Sequence, residues 1–159
     1  MRFIYSNKKI LILGDILHSR VALSNILLLV KLGAHVKLCG PKTLIPKDIE
    51  ILGVTYEINL KKGLKWCDAI NVLRIQNERM NQRYFPSVRE YSNLYGLDES
   101  KLDELNKKLV ILHPGPINRG IEISSALADS SQSVILDQVH NGVAIRMAVT
   151  YLLASKLLI

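Results

Sequence analysis

The sequence has few of the residues that cross-link small folds or bind structural metals. Its 159 residues include two cysteines, Cys39 and Cys67, which are too few for a disulfide framework or a four-cysteine zinc site. The four histidines show no metal-type spacing with each other or with the cysteines. We therefore expect no bound metal and interpret both cysteines as small core residues.

Long apolar runs are also missing. The longest strictly aliphatic runs have five or six residues, as at 26–30, whereas a membrane-spanning helix needs about 20 apolar residues. The basic N-terminus turns directly into a strand-like segment without a cleavable signal pattern. These features predict a cytoplasmic protein that does not contact a membrane.

Three motifs for cofactors and nucleophiles are absent. Only Gly14 is present of the G-x-G-x-x-G dinucleotide fingerprint, and Cys39-Gly40-Pro41, after the second predicted strand, offers no acidic group to a ribose. Neither a G-x-x-x-x-G-K-[ST] phosphate loop nor a G-x-S-x-G nucleophile elbow occurs. We expect no cofactor.

Positive charge is in excess but dispersed. Lysine and arginine number 21 against 14 acidic residues, which gives a net charge of +7. No basic run exceeds two residues, and no arginine-rich arm or aromatic-studded strand accompanies the charge. This pattern argues against nucleic-acid binding, and a small anionic ligand explains the excess at least as well.

Short apolar runs alternate with amphipathic segments along the chain. This alternation predicts parallel strands joined by helical crossovers, in one domain spanning 1–159. We predict a doubly wound α/β fold, with a mostly parallel sheet of about five strands and helices on both faces. The predicted strands cover 9–13, 35–39, 54–58, 69–73 and 109–112. The predicted helices cover 18–32, 46–52, 60–67, 86–95, 98–106 and 121–128, with a last one from about 137.

Polar clusters follow three of these strands, at the edge where such folds bind ligands. The first, at 14–20, lies where a strand turns into a helix, so its free backbone N–H groups favour an anion. Ser19 can cap that helix, and Arg20 can offer a two-pronged donor to a carboxylate or phosphate. Taken alone, the cluster is better explained as a capped helix with a surface arginine.

The second cluster contains Arg74, Gln76 and Glu78. A helix here would place Arg74 and Glu78 within ion-pair reach, and the carboxylate would hold the guanidinium fixed for a substrate carboxylate. Gln76 can hydrogen-bond the same ligand. The alternative is an exposed salt-bridged segment of little energetic consequence.

The third cluster is His113-Pro114-Gly115-Pro116, followed by Asn118-Arg119-Gly120. Two prolines around a glycine make a stiff loop with few backbone donors and several free carbonyls, which can accept hydrogen bonds from an ammonium group. Arginines for carboxylates and carbonyls for an amine suit an amino acid. A loop made only for turning is an equally weighted alternative.

Together the clusters resemble the aspartate carbamoyltransferases, over about residues 8–158. The resemblance rests on four ordered motifs: Gly14-Asp15 with 18–22, 73–76 with Glu78-Arg79, 113–116 with 118–120, and Gln138-Val139 with 141–144 and 146–148. It covers only the second, aspartate-binding half of that family's chain. The carbamoyl-phosphate domain, with its Ser-Thr-Arg-Thr run, is absent, so we expect either an isolated half or one member of a split pair.

The resemblance implies roles for individual residues, none of them catalytic in this half. Arg20 and Arg74 match the positions that bind the two aspartate carboxylates, and Gln76 matches a neighbouring polar contact. The carbonyls of Gly115 and Pro116 match the loop near the amine. The supporting residues implied are Asp15, His18, Glu78 and His113.

The implied reaction transfers a carbamoyl group from carbamoyl phosphate to L-aspartate, in pyrimidine biosynthesis. We expect this chain to need a carbamoyl-phosphate domain or chain for turnover, and the resemblance allows a homo-oligomer. Leu17 departs from the family, which usually has lysine at this position of the first loop. The alternative is a stand-alone binding or regulatory module for an acidic metabolite.

Overall fold

A computed structural model describes residues 6–75, 87–105 and 107–155. Its strands are β1 (Lys9–Leu13), β2 (His35–Cys39), β3 (Thr55–Glu57), β4 (Ala69–Val72) and β5 (Val110–Leu112). Its α-helices are α1 (Arg20–Lys31), α2 (Leu60–Trp66), α3 (Val88–Tyr95), α4 (Glu99–Asp103), α5 (Ser125–Ala128) and α6 (Ile135–Ser155). Two short 3-10 turns, Lys42–Leu44 and Ile49–Leu52, link β2 to β3.

The five strands form one sheet in the order β3-β2-β1-β4-β5, and every pairing is parallel. Strands β2 and β3 are added on one side of β1, and the chain then crosses back so that β4 and β5 are added on the other side. That reversal makes a topological switch point between β1 and β4, where such folds bind ligands. The predicted doubly wound α/β fold is confirmed.

Apolar side chains cover both faces of the sheet. In β1, Leu11 and Leu13 belong to one core cluster and Ile12 belongs to the other, as the two-residue period of a strand requires. Ala22 and Ile26 of α1 pack in the cluster around Ile12. The opposite cluster takes side chains from the other helices: Leu60, Leu64, Tyr91, Tyr95, Leu102, Leu127, Ala128 and Ile135.

Two predicted helices begin several residues later than expected. The single helix predicted over 46–52 is instead a 3-10 turn that begins at Ile49, because Asp48 takes a left-handed conformation with φ of 58°. The helix predicted near 121–128 begins only at Ser125. Ahead of it the backbone pairs with Leu97, whose N–H donates to the Glu122 carbonyl at 2.9 Å and whose carbonyl accepts from Ser124 at 2.8 Å.

The long helix α6 leaves the body of the fold after its first turn. Of its 21 residues only Ile135 is buried. Large apolar side chains stay exposed along it: Leu136, Val139, Val143, Ile145, Met147, Val149, Tyr151, Leu152 and Leu153. Among the described residues, no helix has both the length and the hydropathy needed to cross a bilayer.

Candidate functional site

Three loops leave the same edge of the sheet side by side. Leu13 at the end of β1 pairs with Val72 of β4, and Asn71 of β4 pairs with Leu112 of β5. The Leu73 N–H donates to the Leu13 carbonyl at 2.7 Å, which ties the first two loops together as they begin. The three polar clusters of the sequence therefore emerge from neighbouring strands at the carboxyl edge.

Gly14 permits the close approach of the first two loops. Its φ is +125°, and a Cβ built on it would lie 3.0 Å from the Leu73 carbonyl oxygen. Any larger residue would push the loops apart and would also strain the backbone. The position explains why a lone glycine follows β1 without the rest of a dinucleotide fingerprint.

The first loop is organised around a buried carboxylate. Asp15 is fully buried, and its Oδ1 accepts from the His18 backbone N–H at 3.1 Å. Nδ1 of His18 lies 2.9 Å and 3.0 Å from the two carboxylate oxygens. Because a carboxylate only accepts, this geometry assigns the proton to Nδ1 of His18. The pair closes the loop immediately before α1.

Helix α1 starts at the site because of its cap. The Ser19 hydroxyl accepts from the Ala22 N–H at 3.1 Å, which satisfies one free donor of the first turn. Arg20 is therefore the first helical residue, at the helix end that carries partial positive charge, and its side chain is exposed. Leu17 beside it is 42% exposed, and its N–H donates to the Leu44 carbonyl.

The second loop places Arg74 two residues beyond the end of β4. Arg74 is half-buried, and the next residue, Ile75, is buried in the core. Gln76 and Glu78 lie outside the described residues, so the Arg74–Glu78 ion pair stays a prediction. Arg74 thus follows β4, and Arg20 begins the helix that follows the neighbouring strand β1.

The third loop is folded back on a buried histidine. Nδ1 of His113 accepts from the Gly115 N–H at 2.9 Å, and His113 itself has no exposed surface. The peptide bond between Gly115 and Pro116 is cis. Within the part of the chain that the structure describes, no hydrogen bond ends on the carbonyl oxygens of Pro114, Gly115 or Pro116.

Sequence reasoning missed Glu122, which lies beneath this loop. Glu122 is fully buried, and its Oε1 is 3.3 Å from Nε2 of His113 and 2.6 Å from the Asn118 backbone nitrogen. Burial, followed by the nearby Glu122 carboxylate, holds the pKa of Tyr91 well above its usual value. In the sequence, the one sign of a buried Glu122 was its position between two isoleucines, Ile121 and Ile123. The helix predicted there gave no reason to expect a buried charge.

Two further contacts connect the third loop to its surroundings. The Asn118 amide donates through Nδ2 to the Ile75 carbonyl at 3.2 Å, which joins the third loop to the second. The Gln138 side chain, from the first turn of α6, accepts from the His113 N–H at 2.9 Å. The third loop is therefore held from the sheet, from the second loop and from α6.

Arg119 has a structural partner. Its guanidinium grips Asp129 with two hydrogen bonds, at 2.8 Å and 2.9 Å, and also donates to the Ser125 carbonyl. The Arg119 hydrogen bonds hold the pKa of Asp129 below its usual range. This arginine of the third motif is thus engaged at the surface, in front of α5.

The cysteines are core thiols. Burial raises the pKa of Cys39 to about 12 and that of Cys67 to about 11. Across residues 6–75, 87–105 and 107–155, no three histidine, cysteine or acidic side chains come together in a way that could hold a metal ion.

The fold and the loops define an α/β domain with a polar site at the switch point of a doubly wound sheet. Residues 6–153 match the family described as "Aspartate/ornithine carbamoyltransferase, Asp/Orn binding domain". The match covers nearly the whole chain. The chain belongs to this family.

Its relatives in sequence are longer proteins. It is 69% identical over 152 residues to the aspartate carbamoyltransferase catalytic subunit of Flavobacterium psychrophilum, covering 96% of this chain and 49% of that protein. It is 64% identical to the corresponding subunit of Cytophaga hutchinsonii, covering 95% and 49% respectively. The chain spans about half the length of the curated relatives it matches.

Solved structures share the fold. Aspartate transcarbamoylase from Trypanosoma cruzi, in complex with carbamoyl phosphate, superimposes with a TM-score of 0.75 at 20% identity, covering 92% of this chain and 49% of that one. Ornithine carbamoyltransferase from Pyrococcus furiosus gives a TM-score of 0.70 at 21% identity, covering 86% and 46%. At these identities the likeness supports the fold alone.

Proposed function

We propose that this chain is the aspartate-binding half of an aspartate carbamoyltransferase, a transferase of pyrimidine biosynthesis. The observation that carries the proposal is the family match over residues 6–153, combined with three loops of matching chemistry at one sheet edge. The relatives at 64–69% identity are named as aspartate enzymes, which favours aspartate over ornithine.

The charge of the loops suits a dicarboxylic amino acid. Arg20 at the start of α1 and Arg74 after β4 would each take one carboxylate of L-aspartate, since a guanidinium offers two parallel donors to a carboxylate. Gln76 would add a polar contact, and Glu78 would orient Arg74. Ornithine, with its second amine, has only one carboxylate for these two cations.

The third loop would receive the amine. Within the described residues no hydrogen bond ends on the carbonyl oxygens of Gly115 and Pro116, and these oxygens can accept from an ammonium or amine N–H. His113 supports the loop by holding the Gly115 N–H. On the first loop, Asp15 and His18 support Arg20 by fixing the entry into α1.

The reaction needs no covalent enzyme intermediate. The aspartate nitrogen attacks the carbamoyl carbon of carbamoyl phosphate and forms the C–N bond. The carbon–oxygen bond to phosphate then breaks, phosphate leaves with the electron pair, and the nitrogen loses a proton. This half contributes orientation of the amine, an effect that can lower a barrier by about 7–11 kcal/mol. Groups that bind phosphate and the developing oxyanion would belong to the other half.

The partner of this chain would be a carbamoyl-phosphate domain or chain, and the exposed face of α6 supports that. A row of apolar side chains along a long helix is costly in water and marks an interaction surface. The relatives are twice as long as this chain, so each contains another half of similar size. A homo-oligomer of the completed protein is a further proposed assembly.

A chimera tests the proposal. This chain replaces the segment it matches in the Flavobacterium psychrophilum subunit, and formation of N-carbamoyl-L-aspartate is measured with and without added substitutions. We expect the chimera to be active and the chain alone to be inactive. Arg20→Ala or Arg74→Ala in the chimera should lower kcat/KM for aspartate roughly 10- to 150-fold, the effect of losing a hydrogen bond to a charged group. The matched control, Arg119→Ala, removes an arginine that is engaged with Asp129 and should stay within about twofold.

Three results would count against it. Carbamoyl transfer by the chain alone would show that no second half is needed. A chimera that is folded but inactive, or one in which the Arg119→Ala loss equals that of Arg20→Ala, would remove the assigned substrate site.

A further inference from the structure

A buried charged and polar cluster lies under the third loop and is not explained by substrate contact. His113 and Glu122 both have no exposed surface, and they meet between Nε2 and Oε1 at 3.3 Å. Burying a carboxylate and an imidazole costs free energy unless both are hydrogen-bonded. A fold that needed only a turn here would be served as well by two apolar residues of similar volume.

The hydrogen bonds of His113 assign its tautomer. The backbone N–H of Gly115 can only donate, and it lies 2.9 Å from Nδ1, so Nδ1 must carry a lone pair. The proton of the neutral ring is then on Nε2, which donates to Oε1 of Glu122. Because Oε1 of Glu122 accepts the proton on Nε2, Nδ1 keeps the lone pair that accepts from the Gly115 N–H.

The same carboxylate oxygen also holds the chain beyond the loop. Oε1 of Glu122 accepts from the Asn118 backbone N–H at 2.6 Å, and the Asn118 side chain donates to the Ile75 carbonyl beside Arg74. Glu122 thus touches both ends of the segment 113–118 and, through Asn118, the second loop. Of these groups, the side chains of His113 and Glu122 are fully buried.

We infer that Glu122 is a positioning residue, which sets the Gly115–Pro116 loop by accepting from Nε2 of His113 and from the Asn118 backbone N–H. The expected effect on the reaction rate rests on the proposed function. The expected effect on the loop rests on the hydrogen-bond geometry alone. Displacing the loop carbonyls would misalign the attacking amine, and a misplacement of about 1 Å can cost roughly 100-fold in rate.

The first test is spectroscopic and uses the unsubstituted chain. Long-range proton–nitrogen correlations of the His113 ring should show the Nε2–H tautomer, with Nδ1 unprotonated. The Glu122→Gln variant keeps an acceptor oxygen and should preserve this pattern and the Gly115 amide resonance. The Glu122→Leu variant, similar in size but without an acceptor, should change both. An Nδ1-protonated ring in the unsubstituted chain would overturn the inference, because the Gly115 N–H would have no acceptor.

The second test is kinetic and uses the chimera. Glu122→Leu should lower kcat by ~10- to 100-fold while KM for carbamoyl phosphate stays unchanged, because that substrate is assigned to the other half. Glu122→Gln should restore most of the rate. The matched control is Glu99, an exposed carboxylate that accepts from the Ser124 hydroxyl at 2.8 Å, and Glu99→Leu should leave kcat unchanged.

The two tests separate the inference from the proposed function. An unsubstituted chimera without activity would refute the proposed function, and the ring tautomer would still decide whether Glu122 sets the loop. A folded Glu122→Leu chimera with the rate of Glu99→Leu would overturn the inference while leaving the function standing. If Glu122→Leu does not fold, two measurements still test the inference: the His113 tautomer in the unsubstituted chain and kcat of the Glu122→Gln chimera. A kcat for Glu122→Gln as low as that of the Arg74→Ala chimera would overturn the inference.

Discussion

The sheet of this protein buries its apolar side chains, whereas the last helix exposes them to solvent. Leu13, the last residue of the central strand β1, is completely buried, whereas Leu152 on α6 is 60% exposed although it is the same residue type in regular structure. The sheet buries its apolar side chains against its own helices on both faces. The sheet is therefore covered within this chain, whereas α6 presents the surface that we propose another half of the protein covers.

The two regions are nevertheless joined at the site. Gln138, in the first turn of α6, accepts from the backbone N–H of His113 at the end of β5. Ile135, one turn earlier, is the buried anchor of the same helix. The first turn of α6 therefore contacts the loop that carries Gly115 and Pro116 through this hydrogen bond.

The largest expected effect is in the core of the sheet. Leu13→Ala should lower the free energy of unfolding by about 2–5 kcal/mol, since it deletes a fully buried side chain and leaves a cavity. The matched change Leu152→Ala on α6 should cost less than about 0.5 kcal/mol, as for a surface substitution. Urea unfolding of both variants measures the difference, and equal losses would show that α6 is already packed within this chain.

The next effect is at the buried carboxylate of the first loop. His18→Ala removes a ring that donates to the buried Asp15 and should cost about 1.5–3 kcal/mol, as for a hydrogen bond to a charged group. The control is His35→Ala, which removes an exposed histidine of β2. If the two variants unfold at the same urea concentration, the Asp15–His18 pair does not stabilise the loop.

A smaller effect is expected at the cap of α1. Ser19→Ala should cost about 1 kcal/mol, because the Ala22 N–H loses its acceptor. Ser24→Ala, in the same helix, removes a hydroxyl that donates to the Val21 carbonyl and should be close to neutral. A stabilising Ser19→Ala would contradict the assignment of Ser19 as the cap.

The smallest effect is at the surface pair of Arg119 and Asp129. Arg119 lowers the pKa of Asp129, so the stabilisation is present above the unfolded-state pKa of Asp129 and is lost as pH falls through the folded-state value. Both side chains are solvent-exposed, and water screens the pair. Asp129→Asn should leave the urea midpoint at neutral pH unchanged, and a shift as large as that of Ser19→Ala would show that the pair stabilises α5.

The strands and the helix α1 were predictable because short apolar runs ending in glycine or polar residues have few alternative structures. The segment 46–52 was not, since a left-handed Asp48 is set by tertiary context. The pairing of 121–124 with Leu97 was missed for the same reason, because the two segments are distant in sequence.

Within the site, the sequence indicated the residues at the ligand edge but not those beneath it. Arg20, Arg74 and the Gly115–Pro116 loop stand out as charged or conformationally special residues after predicted strands. The role of Glu122 depends on the tautomer of His113, and that contact exists only once the loop has folded back. Sequence periodicity carries no information about such a contact.

A crystal structure of the chimera with N-(phosphonacetyl)-L-aspartic acid, the ligand of one Trypanosoma cruzi structure, tests the central claim most directly. The aspartate part of that molecule carries both carboxylates. We predict that the guanidinium groups of Arg20 and Arg74 each hydrogen-bond a different one of them, with the Gly115–Pro116 loop beside the nitrogen. A bound ligand whose carboxylates are held elsewhere, with Arg20 or Arg74 turned to solvent, would contradict the account.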